Sequence, residues 1–157
     1  MLKISKMADY AIVIMSYLAL KPDCRLSASE VARATHLSVP TVSKVLKLLQ
    51  EFNLLSSERG SSGGYQLIRK AHEISVAEMI TAVDGRPAIT ECGHGVNHCE
   101  RESVCSLKGN WQLINQAVYA VLADLRLSDM LKPLSQPIHF HGLNLDRAHI
   151  KPVKQEH

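Results

Sequence analysis

The sequence predicts a mainly α-helical fold with one small β-hairpin, followed by a long helix that its own domain does not cover. Three observations predict it. Ser27-Ala-Ser-Glu30 and Ser75-Val-Ala-Glu78 each mark a helix start. The glycine-rich stretch Arg59-Gly-Ser-Ser-Gly-Gly64 separates two short strand-like runs. Finally, Leu107, Trp111, Ile114, Val118, Val121, Leu122 and Leu125 form one apolar stripe along the longest helical pattern in the chain.

Composition bounds the answer. At 157 residues the chain suits one domain with appendages. Apolar residues make up 46% and charged residues 21%, an ordinary globular balance. Aromatics are only 4%, so the core must come from Leu, Ile, Val and Ala. A net charge of +3 is compatible with a nucleic-acid partner but does not argue for one; the placement of the basic residues matters more. The run Ala11–Leu20 is too short to span a bilayer and no signal peptide precedes it, so a cytoplasmic protein without a membrane partner is expected.

Taken in order, Ala8 to Leu20 reads as the first helix, with Ile12, Met15, Leu18 and Ala19 near helical spacing, and Lys21-Pro22-Asp23 ends it. The Ser27–Glu30 capping box opens a short helix that fades at His36. Ser38 then caps a third helix, Val39–Phe52, with Pro40 tolerated in its first turn. Val42, Val45, Leu46 and Leu49 form its inward stripe. Two helices joined by a tight turn, the second amphipathic, make a helix-turn-helix pattern. The outward face of the second helix offers Thr41, Lys44 and Lys47, with Ser38 at its tip. Hydroxyl and ammonium donors in that arrangement suit phosphates and base edges in a major groove. A solvated face on an ordinary helical hairpin would look the same in this stretch alone.

The next segment separates the two readings. Leu54–Glu58 and Tyr65–Ile68 read as strands around the glycine turn, a β-wing with Arg59 at its shoulder, Ser61 in the loop, and Arg69 and Lys70 just beyond. Such a wing suits the DNA backbone or a narrow minor groove, which attracts arginine. A nucleotide-hydrolase phosphate loop is excluded, because no Gly-Lys-Ser/Thr follows to open a helix. The second capping box starts a helix that stops at Asp84-Gly85. The long helix is expected from about residue 106 to 127, roughly 30 Å at 1.5 Å per residue. With nothing of its own chain left to cover it, that helix predicts a homodimer. The tail from Lys132 lacks periodicity; its His139-Phe140-His141 is read as a solvated segment rather than a metal site.

Cys92, Cys99 and Cys105 fall within fifteen residues, spaced Cys-x6-Cys-x5-Cys. A disulfide is disfavoured in a reducing compartment. A structural zinc site would carry tighter Cys-x2–4-Cys knuckles. Wide spacing in a Gly/His/Asn-rich loop suits a larger iron–sulfur cluster, which takes four ligands, so one must come from elsewhere. His94 and His98 lie inside the loop, and Asp9, Cys24 and His36 outside it.

With these residues assembled, the chain resembles the IscR/NsrR family of winged-helix, iron–sulfur-responsive transcription regulators, most closely the branch that regulates SUF cluster-assembly genes. The resemblance is carried by Lys6-Met-Ala-Asp-Tyr-Ala11, Arg59-Gly-Ser-Ser-Gly-Gly-Tyr65, Ile80-Thr-Ala-Val-Asp84, the three cysteines and Trp111, and covers residues 1–130 or so. It implies a homodimer whose long helices cross. It also implies one two-iron or four-iron cluster per protomer on Cys92, Cys99 and Cys105. In the IscR branch a histidine three residues after the last cysteine completes the ligand set; here that position is Lys108. In the NsrR branch an aspartate near the N-terminus of the other protomer completes it, and Asp9 stands in the matching place. The first cysteine spacing is one residue longer than the family's usual spacing.

The expected organisation is a winged helix-turn-helix DNA-binding domain over 1–85, a cluster-binding loop over 86–105, a dimerisation helix over 106–130 and a loose tail over 131–157. The expected function is a non-enzymatic repressor that binds a double-stranded operator through Ser38, Thr41, Lys44, Lys47, Arg59 and Ser61. Its cluster would report iron–sulfur supply. The rival readings are a nitric-oxide- or redox-sensing repressor of the same family, an iron–sulfur redox protein, and a zinc-bound structural module. No nucleophile–base pair or nucleotide loop supports the redox protein.

Overall fold

A computed structural model describes residues 4–60, 63–90, 99–100 and 104–133. Eight elements follow in order: α1 (Lys6–Ala19), α2 (Ala28–Thr35), α3 (Val39–Glu51), β1 (Leu55–Glu58), β2 (Gly64–Leu67), α4 (Val76–Asp84), α5 (Lys108–Asp124) and α6 (Leu127–Met130), with a 3-10 turn at Ala71–Glu73. The fold is mainly helical with a small antiparallel hairpin, as the sequence predicts.

Helix starts follow the serines. Ser5, Ser27, Ser38 and Ser75 each accept a hydrogen bond from a first-turn backbone N–H, and Ser27 and Ser75 complete capping boxes with Glu30 and Glu78. Helix ends are set by residues in the left-handed conformation. His36 (φ 56°) closes α2, and Asn53 (φ 57°) follows α3, where the Leu54 N–H turns back to the Leu49 carbonyl at 2.9 Å.

Helices α1, α3 and α4 pack around one core. Ile14, Met15 and Leu18 meet Val42, Val45, Leu46 and Leu49, with Leu54, Leu55, Ile74, Met79 and Leu127 closing it. These residues are almost all aliphatic, as the low aromatic content requires.

The wing contains more than its hairpin. Strands β1 and β2 pair in the register Leu55↔Leu67 to Glu58↔Gly64. Leu26, in the loop between α1 and α2, adds a bridge to Tyr65 on the other edge of β2, with N–H···O distances of 3.0 and 2.8 Å. The approach is close: a Cβ on Gly64 would sit 2.6 Å from the Leu26 carbonyl carbon, and φ at Gly64 is +153°. Only glycine satisfies both constraints.

The long helix departs from expectation in two ways. Its apolar stripe continues through Leu125, yet α5 ends at Asp124 and Leu125 is extended. There the Leu125 carbonyl accepts from Val76 N–H and the Leu127 N–H donates to the Ile74 carbonyl, both at 2.8 Å, so Arg126 bridges to Ser75. The backbone pairing with residues 74–76 interrupts a pattern that side chains alone would continue. Second, the two halves of α5 differ. Leu122 and Leu125 pack on the chain's own core, whereas Leu107, Trp111, Leu113 and Ile114 are exposed. The lack of cover therefore holds for the first half only.

Candidate nucleic-acid interface and cysteine loop

Helix α3 presents the predicted residues from one end to the middle. Ser38 and Thr41 share a hydroxyl–hydroxyl hydrogen bond of 2.7 Å at its N-terminus, and Ser38 also caps the Thr41 N–H. Either hydroxyl can rotate toward a phosphate at the positive end of the helix. Lys44 and Lys47 are exposed further along, and Lys47 lies 3.8 Å from Glu51. Arg59 is exposed just past β1, on the wing. Ser61 lies outside the described residues.

Two arginines take roles the sequence does not announce. Arg69 does not extend the wing's basic surface: its Nη2 binds Glu78 Oε1 at 2.7 Å and its Nη1 donates to the Glu73 carbonyl. Arg25 reaches across from the α1–α2 loop, with Nη2 2.5 Å from Glu58 Oε1 and Nη1 3.4 Å from Ser56 Oγ. It neutralises the one carboxylate of β1, beside Arg59.

Glu78 illustrates the local electrostatics. Burial pushes its carboxyl upward, but the Ser75 backbone N–H, the Arg69 guanidinium and the Ser75 hydroxyl outweigh that effect and hold it below the ordinary carboxylate value.

The second candidate region joins α4 to α5. Cys99 is half-buried, Cys105 is exposed, and both are free thiols. Cys92, His94 and His98 lie outside the described residues. Asp9 is exposed in the first turn of α1. Among the described residues no three His, Cys, Asp or Glu side chains converge, so Asp9, Cys99 and Cys105 do not meet within one chain. Cys24 is an exposed loop thiol.

The approach to the cysteines is anchored on α5. Asn115 is 93% buried on a helix whose neighbouring positions are mostly open. Its Oδ1 accepts from the Ile89 N–H at 2.6 Å, and its Nδ2 donates to Thr90 Oγ1 and to the Trp111 carbonyl, both at 2.9 Å. One turn along, the Arg86 guanidinium lies over the Tyr119 ring, 4.5 Å from its centroid. Arg86, Pro87 and Ala88 also wall a cleft of about 240 Å³ against Ile4, Ile80 and Val118. Sequence reasoning missed Asn115; its signal was a polar residue inside an apolar stripe, four residues after Trp111.

Helices α2 and α3 joined by a tight turn, with the two-stranded wing after them, form a winged helix-turn-helix, and the first half of α5 further along the chain is exposed. The family model described as an iron-dependent transcriptional regulator, Rrf2, matches residues 4–133. The chain belongs to the Rrf2 family. Among its relatives is the NsrR regulator of Oceanobacillus iheyensis, 31% identical over 90% of this chain and 98% of that one. The IscR regulator of Cereibacter sphaeroides is 30% identical over 87% of this chain and 91% of that one. Solved structures agree: CymR, the global cysteine regulator of B. subtilis, superposes with a TM-score of 0.65 at 27% identity, covering 83% of this chain and 97% of that one. IscR of T. potens gives 0.63 at 26%, covering 83% and 86%. As an Rrf2 protein the chain is a winged-helix, DNA-binding transcription regulator, and its relatives are regulators rather than enzymes. Among the described residues no helix is long and apolar enough to cross a membrane.

Proposed function

We propose that this Rrf2 regulator is a cytoplasmic, homodimeric repressor whose operator affinity follows the state of a two-iron or four-iron cluster, and that it controls SUF-type cluster-assembly genes. The observation that carries the reading is the position of Cys99 and Cys105. Both are free thiols in the connector between the wing-bearing domain and α5. The donor set suits the group, since thiolates are the soft ligands that iron–sulfur clusters take. Cys92, Cys99 and Cys105 would hold it, with Asp9 of a second copy as fourth ligand and His94 or His98 as lesser candidates. When bound, the cluster supplies a cross-link between thiolates that is lost when it is oxidised or stripped.

The chain's own residues do the rest. Leu107, Trp111, Leu113 and Ile114 offer an exposed apolar surface for a second copy. Pairing there sets the separation of the two α3 helices, which must match the helical repeat of the duplex. Ser38, Thr41, Lys44 and Lys47 then contact the major groove, and Arg59 and Ser61 the wing's backbone or minor-groove site. Ordering or releasing the connector shifts the population of the binding-competent spacing. A coupling of about 1–3 kcal/mol changes affinity roughly 5- to 150-fold.

The test is a visible spectrum of anaerobically purified protein, with operator binding measured before and after cluster removal. Absorption that disappears together with changed operator affinity supports the reading. A colourless protein with unchanged affinity defeats it. The exposure of Asp9 favours one second reading, in which a carboxylate-ligated iron is labile and nitric oxide is the signal. A nitric-oxide donor that releases DNA under conditions where iron starvation does not would select it.

A further inference from the structure

Asn115 has more to do than fill space. It is a nearly buried amide on a mostly exposed stretch of helix, and both of its N–H groups and its carbonyl oxygen are engaged. Two of its three partners, the Ile89 N–H and the Thr90 hydroxyl, lie on a segment 26 and 25 residues away in sequence. That segment is irregular, so the Ile89 N–H has no helix or strand ladder to satisfy it. Arg86 over Tyr119 fixes the same segment one helical turn further along α5. Residues 86–90, the first part of the cysteine loop, thus run along one strip of α5 toward its N-terminus, and the first cysteine, Cys92, comes two residues after Thr90 in sequence.

We propose that Asn115 is a positioning residue that latches the entrance of the cysteine loop to α5. The loop's thiols and the long helix then move as one unit. The inference rests on the reading of that loop as the sensing element. The physical reason is register. An apolar contact would let residues 86–90 slide along α5, whereas an amide that both accepts from Ile89 and donates to Thr90 fits one placement only.

The test uses the full chain, reduced and metal-free, as wild type and as Asn115→Ala and Asn115→Asp. Amide exchange is followed by mass spectrometry over residues 86–90, and iodoacetamide alkylation at each cysteine. Asn115→Ala is expected to speed exchange at Ile89 by about five- to tenfold, the loss of one buried hydrogen bond. Alkylation of the half-buried Cys99 should also rise, while the already exposed Cys24 and the amides of α1 to α4 stay unchanged. Asn115→Asp keeps the acceptor for Ile89 and is expected to keep slow exchange there. Unchanged exchange at 86–90 in Asn115→Ala would overturn the proposal. So would a uniform rise that includes α1 to α4 and Cys24, since that marks a residue needed only for folding. The outcomes are separable from the functional reading: a wild type that takes up no iron and sulfide defeats the cluster and leaves the latch to be judged by exchange alone.

Discussion

Arg25 and Glu58 meet at 2.5 Å and join the loop before α2 to the last residue of β1, 33 positions later. The Glu58 side chain is 62% exposed and adjoins Arg59 in sequence, so without Arg25 a bare carboxylate would stand beside that predicted DNA contact. As a surface pair it contributes only about 0–1 kcal/mol to folding. Its larger effect falls on binding. Arg25→Ala is expected to weaken duplex binding about three- to tenfold, the scale of one uncompensated charge at a partly screened distance. Adding Glu58→Gln should restore most of the loss. Fluorescence anisotropy at two salt concentrations checks this, and equal losses in the single and double variants would refute it.

Gly64 is held to glycine by its neighbour. With φ at +153° and the Leu26 backbone 2.6 Å from any Cβ, Gly64→Ala must push Leu26 and Tyr65 apart. A loss of about 2–4 kcal/mol in urea denaturation is expected, from steric displacement added to backbone strain. Gly60→Ala is the control: its φ is +119° but, among the described residues and its chain neighbours aside, no atom lies within 4 Å of a Cβ there, so the strain dominates, about 1 kcal/mol.

Glu78 sets a pH dependence. Its pKa is lowered in the folded state, so its contribution is present above the unfolded value of 4.5 and is lost as pH falls through the lower folded value. Glu78→Ala is expected to cost about 1–2 kcal/mol at pH 7, the loss of a capping box and a charged hydrogen bond. The gap between variant and wild type should shrink as pH drops below 4.5. Thermal denaturation from pH 7 to pH 3 measures it, and a gap independent of pH would count against the charged pair with Arg69.

Leu113 and Ile114 lie on the open half of α5, at 66% and 44% exposure. If a second copy covers them, Leu113→Glu with Ile114→Glu converts a dimer to a monomer without loss of helix content, because neither side chain supports the chain's own core. Light scattering coupled to size exclusion reads the mass, and circular dichroism the helix. A wild type that is already monomeric would remove the homodimer from the proposed function.

Much of the fold is legible because its signals are local. A serine three residues before a glutamate caps a helix whatever surrounds it, and Ser27 and Ser75 do so. A glycine run between two short strands makes a hairpin from its own backbone freedom, and the register is Leu55↔Leu67. The outward positions of α3 follow from a period of 3.6, which placed Lys44 and Lys47 in solvent.

By itself, then, the sequence determined the helix-turn-helix, the wing, the aliphatic core and the cysteine spacing, since each depends on neighbours within a few residues. Tertiary structure decided what depends on distant partners. Leu26 bridges to the wing because Tyr65 exposes an edge to it. The stripe of α5 broke at Leu125 because residues 74 and 76 supply backbone partners there. Arg69 left the wing for Glu78, and Asn115 found Ile89 and Thr90. Hydrogen-bonding groups must be satisfied when buried, and which distant group satisfies them is set only when the chain has closed on itself.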